Sequence, residues 1–319
     1  MAEGNGVLPP GSAGEGHADG GAPAGEESRA TSGDEVLRQG SVRDYLPLLG
    51  LLECSDWVHQ PREHENLFEL LTREPCALLQ RGRTIRAVLL STLYRRPVAA
   101  ERILALRDSA DMQPTFDLLL PYAEVRLAAR GAHWMSFTNG AAWLANGLVA
   151  HGYELQDRVV IYRKEDWVMV RRGTPDVRVR RPTREALQSI VALDAEAFEP
   201  FWQLNPTILK QAICDSTYCL VAELGQEVVG YLLAEKHGDE ALIGRVGVAP
   251  AFQRQGVATR LMADAFALMQ RDGLKAVLLN TQEDNLPSRT LYEGLGFRLT
   301  GEVDTIWAKQ LMSTSGAEQ

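Results

Sequence analysis

Residues 243–273 constrain the fold of this chain more than any other stretch, because a strand-like run passes through a short glycine-bearing loop directly into an amphipathic helix. Ile243 to Ala249 alternates like a strand, and Pro250 ends it because proline has no amide to give a ladder. Leu261, Met262, Ala265, Phe266, Leu268 and Met269 then recur at three- and four-residue spacing until Gly273 stops the pattern. The turn itself, Gln253-Arg254-Gln255-Gly256-Val257-Ala258, followed by Thr259, is suited to a pyrophosphate. The first amides of a helix have no intrahelical acceptor, and the macrodipole adds partial positive charge there. Gly256 has no Cβ, so an anion can approach the main chain, while Gln253 and Arg254 offer donors from the rim.

A second strand-turn-helix unit follows. Lys275 to Asn280 reads as a strand, and it leads into Asn285-Leu286-Pro287-Ser288-Arg289-Thr290-Leu291-Tyr292-Glu293-Gly294-Leu295-Gly296-Phe297. Asn285 suits a helix N-cap, with Pro287 in the first turn where a missing amide costs little. With Val246-Gly247-Val248-Ala249-Pro250 upstream, the segment from Val177 to Leu311 resembles the GNAT superfamily of N-acetyltransferases, both of whose signatures it carries in their usual order.

The resemblance implies an α/β fold with a mixed sheet, acetyl-CoA as co-substrate and an amine-bearing acceptor, with direct transfer from thioester to amine. It implies that the pantetheine arm pairs with the backbone of Val246, Gly247 and Val248 like an added strand, and that Gln253 to Thr259 hold the pyrophosphate. Asn285 would touch the CoA arm, and Tyr292 would give a proton to the departing thiolate, a task that suits a phenol neutral at working pH. The general base is unassigned. Asn280 stands where related enzymes of ribosomal-protein amino termini carry a Glu, so the proton must go to another carboxylate, to a water chain, or to His237 or Glu240 in the loop before the fourth strand. Phe198, Phe201 and Trp202 either wall an acceptor pocket or pack a helix turn onto the sheet, and Glu196 and Glu199 either attract an amine or are ordinary surface charges.

The chain has 319 residues, about twice what one such unit needs. Residues 1–40 are rich in Gly, Ala, Glu, Ser and Pro with few large apolar side chains, a composition that predicts a disordered tail. Between Ser41 and Lys164 globular patterning resumes: a helix opening near Asp44, another at Asn66 to Thr72, and strands at Cys76 to Gln80 and Ile85 to Ser91. Ala141 to Leu155 then overlays Asn285 to Leu299 at a shift of 144, with His151-Gly152-Tyr153 falling on Leu295-Gly296-Phe297. The expectation is therefore two tandem GNAT-like acyl-CoA N-acyltransferase folds: residues 41–165 as a degenerate unit and 177–312 as the catalytic one. In the overlay Leu148 meets Tyr292, and no glycine lies between Gly82 and Gly131 to form a phosphate loop.

Composition narrows the partners. A net charge of −9 and a pI near 5.3 argue against nucleic acid and suit a cationic acceptor. No transmembrane-length apolar run or secretory signal is apparent, and Cys54, Cys76, Cys214 and Cys219 lack metal spacing, so a cytoplasmic, metal-free protein is expected. A different class of reading also fits the loop: a non-catalytic acyl-CoA-binding sensor or interaction module.

Overall fold

The computed structural model describes residues 29–30, 35–60, 66–95, 97–108, 112–138, 142–169 and 171–311. The chain runs twice through one order of elements. The first pass, after a two-residue strand β1 (Arg29–Ala30), is β2 (Glu35–Gln39), α1 (Tyr45–Cys54), β3 (Trp57–His59), α2 (Leu67–Arg73), β4 (Cys76–Arg81), β5 (Thr84–Arg95), β6 (Val98–Leu106), α3 (Met112–Ala129), β7 (Trp134–Thr138), α4 (Ala142–Ala150) and β8 (Glu154–Lys164). The second is β9 (Arg178–Arg180), α5 (Ala186–Ala197), α6 (Pro206–Asp215), β10 (Tyr218–Leu224), β11 (Glu227–His237), β12 (Glu240–Val248), α7 (Val257–Arg271), β13 (Ala276–Gln282), α8 (Leu286–Gly294) and β14 (Arg298–Gln310). Apart from β3, each element of the first unit from β2 onward has a counterpart in the second, and α4 and α8 differ by the shift of 144 read from the sequence. The expected pair of tandem mixed-sheet folds is present. β2 lies inside the stretch expected to be tail, with Leu37 buried in the core, whereas residues 1–28 and 31–34 lie outside the described residues.

The two units share a single sheet, in the order β1-β2-β4-β5-β6-β7-β14-β8-β13-β12-β11-β10-β9. Its centre is an exchange. β8, which ends the first unit, pairs with β13 of the second from Val159↔Gln282 to Lys164↔Val277, and β14, which ends the second, pairs with β7 of the first from Thr138↔Ile306 to Trp134↔Gln310. β8 and β14 also pair antiparallel with each other. Each unit thus completes its neighbour, because a strand that left its place would expose backbone donors and acceptors that the sheet now satisfies.

Helices cover both faces. In the second unit α7 and α8 bury Val257, Leu261, Met262, Phe266 and Tyr292 on one face, and α5 and α6 bury Ile190, Leu193 and Leu209 on the other. The first unit repeats the arrangement, with Phe116 and Leu148 among the residues under α3 and α4, and Leu48 and Leu51 under α1. A fifth cluster joins the units: Val98, Val159, Ile306 and Ala308 receive Phe201, with Trp134 and Trp202 packed on its margin. Each large apolar side chain so buried contributes roughly 1.5–3 kcal/mol, which makes the junction part of the folding core.

Candidate active site

β12 and β13 pair in parallel only from Glu240↔Ala276 to Ile243↔Leu279 and then diverge. Each keeps its other neighbour beyond that point: Arg245 to Val248 stay paired with β11, and Asn280 to Gln282 with β8. Gly244 falls at a register shift in the β11–β12 ladder, a bulge that turns the strand away. Two backbone edges therefore face an open wedge. The cleft there is lined by Ile243, Gly244, Arg245, Val246, Asn280, Thr281, Gln282, Asn285, Ser288 and Tyr292, with Phe198, Trp202 and Val159 at its other wall.

The residues expected to hold a cofactor are brought to this wedge and to the helix beside it. Val246 lines the cleft, and Val246 and Val248 also pack against the core beneath α7. Gly247 has another reason to be bare: a Cβ there would lie 2.5 Å from the Tyr231 ring. Gly244, which sequence reasoning did not single out, opens into empty space and is the residue whose missing side chain keeps the wedge clear. Asn285 caps α8, accepting from Ser288 N at 3.2 Å, and lines the cleft as well.

The loop before α7 is shaped by its own side chains. Gln253 Nε2 donates to the Val248 carbonyl at 3.2 Å and Gln255 Nε2 to the Ala251 carbonyl at 2.8 Å, so both amides tie the loop down rather than reach outward. Arg254 and Gly256 both have positive φ, 63° and 84°. Gly256 is the N-cap of α7 and supplies no side-chain acceptor, and the first helical bond runs from Arg260 N to Gly256 O at 3.0 Å. The amides of Val257, Ala258 and Thr259 precede that bond, as an anion site requires. Val257 is buried, so its backbone alone is available. Gly173, in the connection between the units, packs against this first turn so closely that a Cβ would meet Arg260 N at 2.4 Å, and Thr174 N donates to Gly256 O at 3.4 Å.

Tyr292 is 8% exposed and reaches the cleft from α8. Burial pushes its phenol up to about 12, with the Ser288 side chain acting in the opposite direction. It is neutral throughout the physiological range.

The aromatic segment after α5 has divided roles. Phe201 is core, whereas Phe198 and Trp202 line the cleft. Arg245 holds them there: its guanidinium stacks 3.7 Å over Phe198, donates to the Trp202 carbonyl at 3.0 Å, and bonds to Asp194 and to the Tyr231 hydroxyl. Tyr231 donates to Asp194 in turn. Glu196 and Glu199 are exposed. His237 and Glu240 are not among the residues that line the cleft. Glu240 pairs with Arg163 at the closed end of the β12–β13 ladder, roughly 13 Å along the strand from Gly244 at ~3.3 Å per residue, and exposed His237 pairs with Glu235.

The first unit handles the same place differently. β6 and β7 pair in parallel from Val98↔Trp134 to Ala100↔Ser136 and then diverge as β12 and β13 do. Their wedge contains protein: β3 runs antiparallel along β6, with Trp57↔Leu106, Val58↔Ala105 and His59↔Leu104. Leu148, fully buried, stands at the position of Tyr292. The start of the helix that corresponds to α7 follows residues 109–111, outside the described residues.

Among the described residues no group of three His, Cys, Asp or Glu side chains is arranged to hold a metal, and no helix is long and apolar enough to cross a membrane.

Comparison with known proteins agrees with this geometry. Residues 187–297 match the model of the acetyltransferase (GNAT) family. A mycothiol acetyltransferase of Pseudarthrobacter chlorophenolicus is 36% identical over 86 residues, 25% of this chain and 27% of that protein. A ribosomal protein bS18-alanine N-acetyltransferase of Haemophilus ducreyi is 29% identical over 70 residues, 22% of this chain and 48% of that protein. The matched stretch thus spans about a quarter of the first relative and about half of the second. In three dimensions the chain is similar over 87% of its length to 99% of a tandem GNAT protein from the clavulanic acid biosynthesis pathway, with a TM-score of 0.57 and 13% identity, a likeness of fold. With both signatures, the divergent strands and the sheet order in hand, residues 187–297, most of the second unit, match the GNAT family of acetyltransferases, and the chain as a whole shares the fold of a tandem GNAT protein.

Proposed function

We propose that this chain transfers the acetyl group of acetyl-CoA to the amino group of an acceptor, and that it does so at one site, the cleft between β12 and β13. The observation that carries the reading is the break in the parallel ladder after Ile243↔Leu279, which leaves the main chain of Gly244 to Val248 facing open space. A pantetheine arm, with its own amides, suits that edge as an added strand would. Gly244 leaves room for it, and the amides of Val257, Ala258 and Thr259 suit the pyrophosphate. Gln253 and Gln255 support this indirectly, by holding the loop.

Tyr292 is the group proposed to meet the leaving sulfur. With its phenol at about 12 and a thiol ordinarily near ~8.5, complete transfer of the proton to a free thiolate would run uphill. The phenol therefore acts as a hydrogen-bond donor to charge developing on sulfur, and the proton that finally neutralises it comes from the amine. The acceptor is read as a small amine, since Arg245 fixes Phe198 and Trp202 against the cleft and narrows its wall. Relatives named for mycothiol and for the alanine of a ribosomal protein are both compatible with an amine acceptor. The first unit is proposed to be degenerate with respect to acetyl-CoA, supported by β3 in its wedge and by Leu148.

Release of free thiol from acetyl-CoA in the presence of an amine panel tests the reading, with Tyr292→Phe beside the wild type. The expected result is amine-dependent release by the wild type and, in Tyr292→Phe, a turnover lower by roughly 10²-fold with acetyl-CoA binding unchanged. Binding without release for every amine would favour an acyl-CoA sensor, and an unchanged rate in Tyr292→Phe would remove the phenol from the mechanism.

A further inference from the structure

The acetyl-transfer reading lacks a proton acceptor, because an ammonium must lose a proton before nitrogen can attack. None of the sequence candidates supplies one: Asn280 lines the cleft but cannot take a proton, and Glu240 and His237 are elsewhere. The exchanged strand brings a carboxylate to the margin of the cleft. Val159 of β8 lines the cleft and pairs with Gln282. Asp157 lies two residues along the same strand, hence on the same face, where the ladder with β13 ends and the turn carrying Asp284 and Asn285 begins. The indole of Trp202, itself a cleft residue, donates to the Asp157 carboxylate, and Asp157 Oδ1 also accepts from Arg158 N at 3.0 Å.

We infer that Asp157, contributed by the first unit, is the group that takes the proton from the acceptor amine at the second unit's cleft. The inference rests on the acetyl-transfer reading. The balance is simple: R–NH3+ gives a proton to the carboxylate, the freed lone pair forms the C–N bond, the C–S bond breaks, and the second amine proton ends on sulfur, so one proton leaves to water through Asp157 per turnover. The surroundings suit the role. Burial raises the carboxyl to about 6, the Arg158 amide and the Trp202 indole oppose the rise, and the nearby charges of Asp284 and Glu199 add to it. Asp304, on β14 opposite Val159, is also raised by burial and by Glu302. The neighbouring cation, Arg158, is paired with Glu283 at 2.7 Å. A cationic amine thus meets negative charge at this wall, and a carboxyl near 6 is ionised at neutral pH yet basic enough to accept a proton.

The sign for rate against pH follows. The base works ionised, so kcat/KM rises as pH passes upward through about 6, and Asp157→Asn, which keeps an acceptor for the Trp202 indole, removes that limb. The test compares benzylamine, an ammonium at neutral pH, with aniline, already neutral there. Asp157→Asn should lose roughly 10²- to 10⁴-fold with benzylamine and less than about a tenth of that factor with aniline; equal losses on the two amines would overturn the assignment. If the wild type releases no thiol with either amine, acetyl transfer itself is in question, and Asp157 is judged separately from its 13C carboxyl signal, identified by its disappearance in Asp157→Asn. That signal should titrate near 6 and shift when benzylamine is added; titration in the ordinary aspartate range near ~3.9, or no response to the amine, would overturn it.

Discussion

The wedge between β6 and β7 and the wedge between β12 and β13 are the same construction with opposite outcomes. Both begin with a short parallel ladder, three pairs in the first unit and four in the second, and both then diverge. In the first, three residues of the chain's own backbone, Trp57 to His59, pair along β6 and fill the gap. In the second the corresponding edge faces a cleft. Divergent strands expose backbone groups that must find partners, and a short strand or a ligand with amides can each supply them. The comparison teaches that the fold specifies the slot, while a few residues between α1 and α2 decide whether the chain's own backbone occupies it. A unit whose own wedge is filled by its backbone still supplies its neighbour with β8 and the cleft residue Val159.

The largest expected effect tests how far the two units are separable. Residues 166–319 alone would lack β8, and with it the six residue pairs made to β13 and the long antiparallel pairing with β14. Val159 would also be missing from the cluster that receives Phe201. That fragment should fail to give a soluble, cooperatively melting monomer, and co-expression with residues 1–165 should restore it. A fragment that folds alone and releases thiol from acetyl-CoA like the full chain would break the claim that the exchange makes one molecule of the two halves.

Filling the open wedge should come next in size. Gly244→Leu adds a side chain where the structure has empty space, without the positive φ that would strain Gly256 on any substitution. Acetyl-CoA affinity should fall by at least ~100-fold, equivalent to about 2.7 kcal/mol, with the melting temperature close to that of the wild type. Titration calorimetry checks both sides of the comparison at once: the wild type should bind one acetyl-CoA per chain. Two equivalents would mean that β3 does not exclude a ligand from the first wedge, and undiminished binding in Gly244→Leu would mean that the second wedge is not the slot.

Much of this was legible in the sequence because it is local. The strand, turn and helix around Gly256, the cap at Asn285 and the 144-residue echo each depend on residues adjacent in the chain, and α4 and α8 repeat at that spacing. What could not be read is whatever depends on which strand lies beside which. Glu154 to Lys164 is mostly polar as far as Arg158 and apolar from Val159 to Tyr162, but nothing in it says that it pairs with β13 rather than within its own unit, so Val159 gives no signal as a cleft residue and Asp157 none as its neighbour. The resemblance gives Gly247 a role for its backbone only; that its missing side chain makes room for Tyr231 across the ladder, a residue 16 positions away, is visible only in the fold. β3 is illegible in the sequence because three residues, Trp57, Val58 and His59, are too few to show a period, and they form a strand only because β6 offers them an edge.

The smallest expected effect lies in the filled wedge itself. Glu101, just past the β6–β7 ladder, is 2% exposed, hydrogen-bonded to His59 of β3 at 3.0 Å, and its other carboxylate oxygen is buried without a partner. Burial raises its carboxyl above the ordinary range, and His59 pulls the other way. The folded state therefore holds this proton more tightly than the unfolded chain does, so the Glu101 contribution is favourable below the unfolded value near ~4.5 and is lost as pH rises through the folded one. Glu101→Gln removes that titration while keeping an acceptor for His59. Its melting temperature should vary less between pH 4 and 8 than that of the wild type, with a stability change of about 1 kcal/mol at neutral pH, and acetyl-CoA binding at the open wedge should be unaffected. An identical pH dependence in the two proteins would show that the buried carboxyl is not what the plugged wedge costs. A change in acetyl-CoA affinity would show instead that the two wedges communicate through the shared sheet.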